Sequence, residues 1–282
     1  MTDRAPVLVV GAGRSGTNLL RDVVCRFPGY ATWPCDEINY IWRHGNRAAP
    51  TDELTADDAR PEVIRYIRRA FERQRRRANG DTVVEKTCAT TLRVAFAHRV
   101  VPEARFVVIV RDGRDVTASA MRRWTAGLDI PYVARKARFV PVSDLPYYAL
   151  RYARSRMARR RDPEGRLGTW GPRFAGLDEA VRDRPLAAVC ALQWSRCVET
   201  ADAQLAAAVD PAAVHRLRYE DLVADPRHEV GRLAEFLGAP APTALPAIRP
   251  DGVGAGRAAL APDELAAVHD VADATLSRYG CS

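Results

Sequence analysis

The run Gly11-Ala12-Gly13-Arg14-Ser15-Gly16-Thr17-Asn18 gathers the residue types that hold an anion: three glycines, one cation, and hydroxyl and amide side chains. Glycines let a backbone approach a phosphate closely, and the N–H groups that open a helix present partial positive charge to it. Three chemistries fit different parts of the run. Gly11-x-Gly13-x-x-Gly16 matches a dinucleotide fingerprint, and Asp36 lies about 20 residues beyond Gly16, near where a ribose-binding acid is expected. Gly11 and Gly16 also have the separation of a nucleoside-triphosphate loop, but Thr17 stands where the lysine is required and Asn18 where the magnesium-binding hydroxyl is required. Taken as Arg14-Ser15-Gly16-Thr17-Asn18, the segment suits a phosphosulfate and needs no metal.

A second constellation follows Val108-Ile109-Val110. Arg111 leaves the end of that apolar run, and Ser119 lies about two turns into the helix that starts near Gly113. A guanidinium fork and a hydroxyl facing one site suit a terminal phosphate. The plainer alternative is that Arg111 and Arg114 form helix-end ion pairs with Asp112 and Asp115. For proton transfer the residue types alone leave several candidates, among them the adjacent carboxylates Asp36 and Glu37, for each of which a purely structural ion pair is an equal alternative. His44 and His98 qualify by residue type alone. Lys86 stands just after an expected strand, and it and Lys136 are the lysines among 43 Lys plus Arg.

Positioning these groups requires strands that end where they begin. Val7-Leu8-Val9-Val10 is a β-branched apolar run that breaks into the glycine loop, a buried strand leading into a helix. Thr82-Val83-Val84 after an Asn79-Gly80 turn, 106–110 and 214–219 are the other strands expected. Helical periodicity covers 62–77 and 185–208. Asp225-Pro226 opens a helix that Gly238 ends, and Pro262 opens another running to about Tyr279. Alternation of this kind predicts a mainly parallel sheet with helices on both faces. Residues 126–184 are less regular, with Arg151, Arg154, Arg156, Arg159, Arg160, Arg161 and Arg166 and then Gly165, Gly168, Gly171 and Gly176. They are expected to form a basic helical and loop insertion or lid, with a solvated basic face the plainer reading of the arginines and a site for an anionic ligand the other.

Taken together the motifs resemble sulfotransferases that use 3′-phosphoadenosine 5′-phosphosulfate. The family's 5′-phosphosulfate loop corresponds to Gly13-Arg14-Ser15-Gly16-Thr17-Asn18-Leu19, with Asn18 in place of a second hydroxyl residue. Its 3′-phosphate motif corresponds to Arg111 through Ser119, with Gly113 in place of proline, and its Y-E-D-L…P…F-L-G segment to Tyr219-Glu220-Asp221-Leu222, Pro226 and Phe236-Leu237-Gly238. The resemblance covers most of the chain from Val7 to Gly238. It implies one domain over residues 1–282, a P-loop-like three-layer α/β fold, and donor contacts from Arg14, Ser15, Gly16, Thr17, Asn18, Arg111, Ser119 and Tyr219, the last beside the adenine. It further implies that Lys86, in a segment similar to the family's E-K-[TS]-P but with Cys88 for the proline, lies near the bridging oxygen. Glu37 would face the acceptor as the base, with Asp36 the rival. Arg257, in Gly252-Val253-Gly254-Ala255-Gly256-Arg257, would be a further donor contact in a loop that lacks the family's tryptophan. The acceptor implied is a hydroxyl on a carbohydrate or small natural product.

Composition sets the outer limits. With 282 residues, 47% hydrophobic and 28% charged, the chain can build a substantial core and is not a disordered or fibrous sequence. Its net charge of +8 comes almost wholly from arginine. By itself that signals only a general affinity for anions, and nucleic acid is not the expected partner. A nucleic-acid-binding protein using the 68–77 and 151–161 arginines, or a nicotinamide oxidoreductase, are the competing readings. Neither needs all of the glycine loop and the Arg111–Ser119 segment. Six scattered cysteines have no metal-ligand spacing, so no metal is expected. Apolar stretches too short to span a bilayer and a start without signal-peptide character point to the cytoplasm.

Overall fold

The computed structural model describes residues 5–78, 80, 82–126, 138–161 and 170–279. Of the positions singled out above, Asn79, Lys136, Gly165, Arg166, Gly168, one of the six cysteines (Cys281) and the first four residues lie outside the described residues, as do 127–137 and 162–169 of the expected insertion. Five strands form one sheet: β1 (Val7–Val10), β2 (Tyr30–Thr32), β3 (Thr82–Lys86), β4 (Arg105–Val110) and β5 (Val214–Arg218), in the order β2-β3-β1-β4-β5. Every pairing is parallel, with Val9 opposite both Lys86 and Val107. The chain leaves β1 for β2 and β3 on one side and returns to β4 and β5 on the other. The loop after β1 therefore opens where the strand order reverses, the place where parallel α/β sheets bind ligands.

The first half carries α1 (Thr17–Val24), α2 (Asn39–Trp42), α3 (Pro61–Arg77), α4 (Val94–Val100) and α5 (Gly113–Trp124). The second half carries α6 (Leu145–Arg161), α7 (Leu177–Asp183), α8 (Leu186–Ala208), α9 (Tyr219–Ala224), α10 (Pro226–Leu237), α11 (Ala255–Ala259) and α12 (Pro262–Arg278). Alternation along β1 assigns the layers. Val7 and Val9 face Leu20, Val23, Leu222 and Leu233, whereas Leu8 and Val10 face Trp42, Ile67, Phe96 and Leu205. A third cluster, including Val116, Trp124, Trp194 and Leu276, joins α5, α8 and α12 with Ala12 and Leu92 of the segments that follow β1 and β3.

The start of α10 is set by Asp225, whose side chain accepts the His228 N–H, and Gly238 stops it in the left-handed conformation at φ 60°. The short strand β2 and helices α2 and α4 were not anticipated; each spans too few residues for periodicity to emerge. The expected insertion divides. Residues 170–183 are part of the main body: Phe174, Leu177 and Ala180 are buried against α8, and Gln193 donates to the Trp170 and Pro172 carbonyls at 2.9 and 2.8 Å. In α6, by contrast, Leu150 and Met157 are exposed.

One glycine ties the third cluster to the sheet. At Gly113, the first residue of α5, a Cβ would sit 2.5 Å from Cζ3 of the buried Trp194. The indole fills the space that a proline ring would need, which accounts for the glycine at the position where the resembling motif has proline. On helix propensity alone, Gly113→Ala would stabilise by about 1 kcal/mol. Overpacking against Trp194 is expected to reverse the sign, to a loss of about 1–3 kcal/mol in urea unfolding, and Trp194→Phe in the same chain to recover part of it. A Gly113→Ala protein at least as stable as the parent would show that the indole yields freely.

Candidate functional site

The parallel register brings the ends of β1, β3 and β4 side by side, so the loop after Val10, the segment after Lys86 and Arg111 share one crevice. In the β1 loop, Arg14 has φ 75°, the sole non-glycine residue with positive φ among the described residues. Gly16 follows at φ 88°, and a Cβ there would lie 2.4 Å from the Tyr219 ring. This succession holds the backbone in a conformation that an ordinary strand-to-helix connection does not require. Ser15 is fully buried, with its hydroxyl unpartnered among the described residues. Thr17 Oγ1 lies 3.7 Å from the Cys88 sulfur, and Asn18 is exposed at the start of α1.

On the β4 side, Arg14 Nε donates to Ser119 Oγ at 2.9 Å, so the two anion-binding motifs meet directly. Arg111 stacks over the Tyr219 ring, with its guanidinium carbon 4.3 Å from the centroid, and donates to the Arg14 carbonyl at 3.2 Å, to Asp115 at 3.3 Å and to the Gly252 carbonyl. Tyr219 is thus a buried prop between loop and arginine. Arg114 makes the helix-end ion pair with Asp112, at 2.6 Å. The Asp112 N–H in turn donates to Glu220 at 2.9 Å, fixing the turn after β4. Burial lowers the Arg14 pKa, and Arg123, Arg111 and Arg122 lower it further. A site whose cations repel one another is one that gains from an arriving polyanion.

On the β3 side, Lys86 Nζ lies 3.4 Å from Glu37 Oε1, and the Cys88 N–H donates to the same oxygen at 3.3 Å. A proline at position 88 would have no N–H to give, so the departure from the family pattern supplies a donor to the carboxylate. Burial works against the Lys86 charge, but its pKa is raised, with the Glu37 and Asp36 carboxylates favouring the ammonium. Burial also pushes the Cys88 thiol up to about 12. Asp36 points elsewhere, pairing with Arg21 of α1 at 3.3 Å. Behind Glu37, the Ile38 N–H donates to Thr87 Oγ1 at 3.2 Å, and Thr87 donates to Glu85 at 2.5 Å. The buried Asp52 accepts from Arg43 at 2.8 Å and from Asn39 at 3.4 Å, and Arg93 donates to Asn39 at 2.5 Å. Together they fix the start of α2 and the residues just before it.

The structure therefore brings together Arg14, Ser15, Gly16, Thr17, Arg111, Ser119 and Tyr219 on one side and Lys86 with Glu37 on the other. Arg257 is exposed on α11, one residue past the Gly256 that abuts α5. His44 is taken up by Asp144 at 2.9 Å, and His98 packs near Phe106. Sequence reasoning missed Trp170, whose ring lies 3.6 Å from where a Gly13 Cβ would be. It also missed Arg122 and Arg123, whose i+3 and i+4 spacing from Ser119 was a usable signal. Among the described residues, no group of three or more His, Cys, Asp or Glu is placed to hold a metal ion. No described helix is long and apolar enough to cross a membrane.

A glycine loop at the strand-order reversal of a parallel sheet, facing arginines, is the arrangement of a P-loop-like α/β protein with an anion-binding crevice. The model of the sulfotransferase family matches residues 6–169 and 173–243, and the chain belongs to that family. Two solved structures share the fold. The sulfotransferase domain of the Synechococcus PCC 7002 olefin synthase matches at TM-score 0.52 and 14% identity, over 96% of this chain and 97% of that one. Sulfotransferase STF9 from Mycobacterium avium matches at TM-score 0.52 and 13% identity, over 99% of this chain and 77% of its own. Comparison with curated proteins gives no match. Family and fold make the chain a transferase and support sulfuryl transfer; the oxidoreductase reading gives way, and Asp36 is engaged by Arg21 rather than set to hold a ribose.

Glu85, directly behind Lys86, is buried, and burial pushes its pKa up to about 7. The folded protein then holds a proton that the unfolded chain releases above its own lower pKa, so this contribution to stability is complete at acidic pH and is lost as pH rises through about 7. Glu85→Gln removes the titration. Urea unfolding is expected to show the variant gaining about 2–3 kcal/mol on the parent between pH 5 and pH 8.5. A constant difference across that range would mean that Glu85 folds in already ionised.

Proposed function

We propose that the protein transfers the sulfuryl group of 3′-phosphoadenosine 5′-phosphosulfate to a hydroxyl of a carbohydrate or small natural product, without a metal. The observation that carries the reading is the junction of the two anion-binding motifs, Arg14 on Ser119 at 2.9 Å and Arg111 on the Arg14 carbonyl at 3.2 Å. The residues present fit such a donor. The unpartnered Ser15 hydroxyl and Arg111 Nε are buried polar atoms without a protein partner among the described residues. Gly16 admits no side chain beneath Tyr219. Arg14, with Arg111, Arg122 and Arg123 lowering its pKa, sits in a field that suits a ligand anionic at both ends.

When bound, the donor supplies an activated sulfuryl group on a phosphate leaving group. Arg14, Ser15, Gly16, Thr17 and Asn18 would hold its 5′ end and Arg111 and Ser119 its 3′-phosphate, with Tyr219 propping the wall between them and Arg257 at the rim. Lys86, kept charged, is the group available to meet negative charge growing on the leaving oxygen. Glu37, fixed by the Cys88 N–H and Lys86, accepts the proton from the acceptor hydroxyl at its carboxylate. Asp36, paired with Arg21 and partly exposed, is the poorer base. Of the 126–184 segment, the described residues 138–161, which precede the core-packed residues 170–183, would form the acceptor side of a single domain over residues 1–282.

Calorimetric titration with adenosine 3′,5′-bisphosphate, 5′-AMP, magnesium-ATP and NAD tests the donor site. The bisphosphate is expected to bind selectively, and Arg14→Ala or Arg111→Ala to weaken it by about 1.5–3 kcal/mol each. Preference for NAD, or indifference to both substitutions, would overturn the assignment. In turnover assays with a panel of hydroxyl acceptors, Glu37→Gln is expected to abolish most sulfation while retaining bisphosphate affinity, and chelation of magnesium to change nothing. Full turnover in Glu37→Gln together with loss in Asp36→Asn would move the base by one residue.

A further inference from the structure

Asp115, in the first turn of α5, has 3% of its surface exposed. Its carboxylate faces a turn about 140 residues further along the chain. Oδ1 accepts the Gly256 N–H at 2.5 Å, and Oδ2 accepts the Gly254 N–H at 2.9 Å and Arg111 Nη2 at 3.3 Å. The same Nη2 donates to the Gly252 carbonyl. Gly254 is left-handed at φ 72°, and a Cβ at Gly256 would fall 2.3 Å from Asp115 Cα and 2.5 Å from the Arg114 carbonyl oxygen. A carboxylate is kept out of water only where donors satisfy it, and here they come from the turn and from the arginine proposed to meet the 3′-phosphate.

We propose that Asp115 is a positioning residue that clasps the 252–256 turn to α5 and fixes the Arg111 fork, so that the site discriminates nucleotides that carry a 3′-phosphate from those that do not. The proposal rests on the donor reading above. Held by two backbone carbonyls, one carboxylate and the Tyr219 ring, the Arg111 guanidinium is oriented before any ligand arrives, and the ordering cost of binding falls accordingly. The sign of one substitution separates this from simple electrostatics. Asp115→Asn removes a negative charge beside an anion site, so a role through charge alone requires tighter phosphate binding. A clasp requires weaker binding, because the amide NH₂ meets N–H donors where the carboxylate met acceptor needs.

The experiment titrates the wild type, Asp115→Asn and Gly256→Ala with adenosine 3′,5′-bisphosphate and with 5′-AMP, and follows hydrogen exchange at the Gly254 and Gly256 amides in the unliganded proteins. Gly256→Ala alters no charge and dislodges the turn from the other side, so it carries the test should Asp115→Asn fail to fold. Both variants are expected to lose about tenfold or more in bisphosphate affinity and less than about twofold in 5′-AMP affinity, with faster exchange at both amides. Unchanged or tighter bisphosphate binding in the folded variants overturns the proposal, as does unaltered exchange. A wild type that binds bisphosphate no better than 5′-AMP overturns the donor reading instead, and the selectivity role with it; the amide exchange then decides the clasp by itself.

Discussion

The Arg111 guanidinium lies over a tyrosine ring that also occupies the space above Gly16. Loop, strand end and the β5–α9 junction are thereby held by one stack, and a partly desolvated cation–π contact of this kind contributes about 1–2 kcal/mol. Its geometric consequence exceeds that energy. Tyr219 lies against Gly16, the loop backbone passes through the left-handed region at Arg14 and Gly16, and Arg111 Nη1 reaches the Arg14 carbonyl. The loop is thus braced from outside itself, by residues at the ends of β4 and β5.

Where the chain departs from the family pattern, the structure shows a local compensation. Gly113 and Trp194 form a complementary pair: the indole on α8 occupies what a proline ring would fill, and the first turn of α5 keeps its place over the sheet. Cys88 gives the opposite exchange. Losing the proline ring costs rigidity in the segment after Lys86, but it yields a backbone N–H aimed at Glu37, and Thr87 pins the next residue's N–H as well. Both departures preserve the position of a charged group by other means.

Much of this was legible in the sequence. β1 begins and ends where its apolar run does, since a strand buried on both faces has no polar position to blur its limits. The Arg111 to Ser119 spacing placed both residues beside the glycine loop because strand and helix geometry leave little freedom over eight residues. What was not legible depends on contacts between distant segments. Nothing in the residues near Trp170 ties them to Gly13, and nothing near Asp115 ties it to a turn late in the chain. In the sequence Asp115 is only one of two acids open to helix-end ion pairs with Arg111 and Arg114, and the structure pairs it with Arg111 at 3.3 Å. Glu37 and Asp36 were indistinguishable by type and neighbourhood; they separate only because the chain entering α2 turns one toward Lys86 and the other toward Arg21.

The net charge of +8 says little about where an anion goes, because many of the arginines are already committed. Arg43 is buried on Asp52, Arg75 and Arg76 share Glu72, and Arg216 is paired with Asp202. At the loop the balance differs. Arg14 spends its Nε on a neutral hydroxyl, Arg111 meets one carboxylate that also serves two backbone N–H groups, and Arg122 and Arg123 add to the same field. Such an excess raises the energy of the empty site and is relieved by a bound polyanion. On the donor reading proposed above, a ligand charged at both ends would relieve that excess, and part of its binding energy would come from the repulsion it removes.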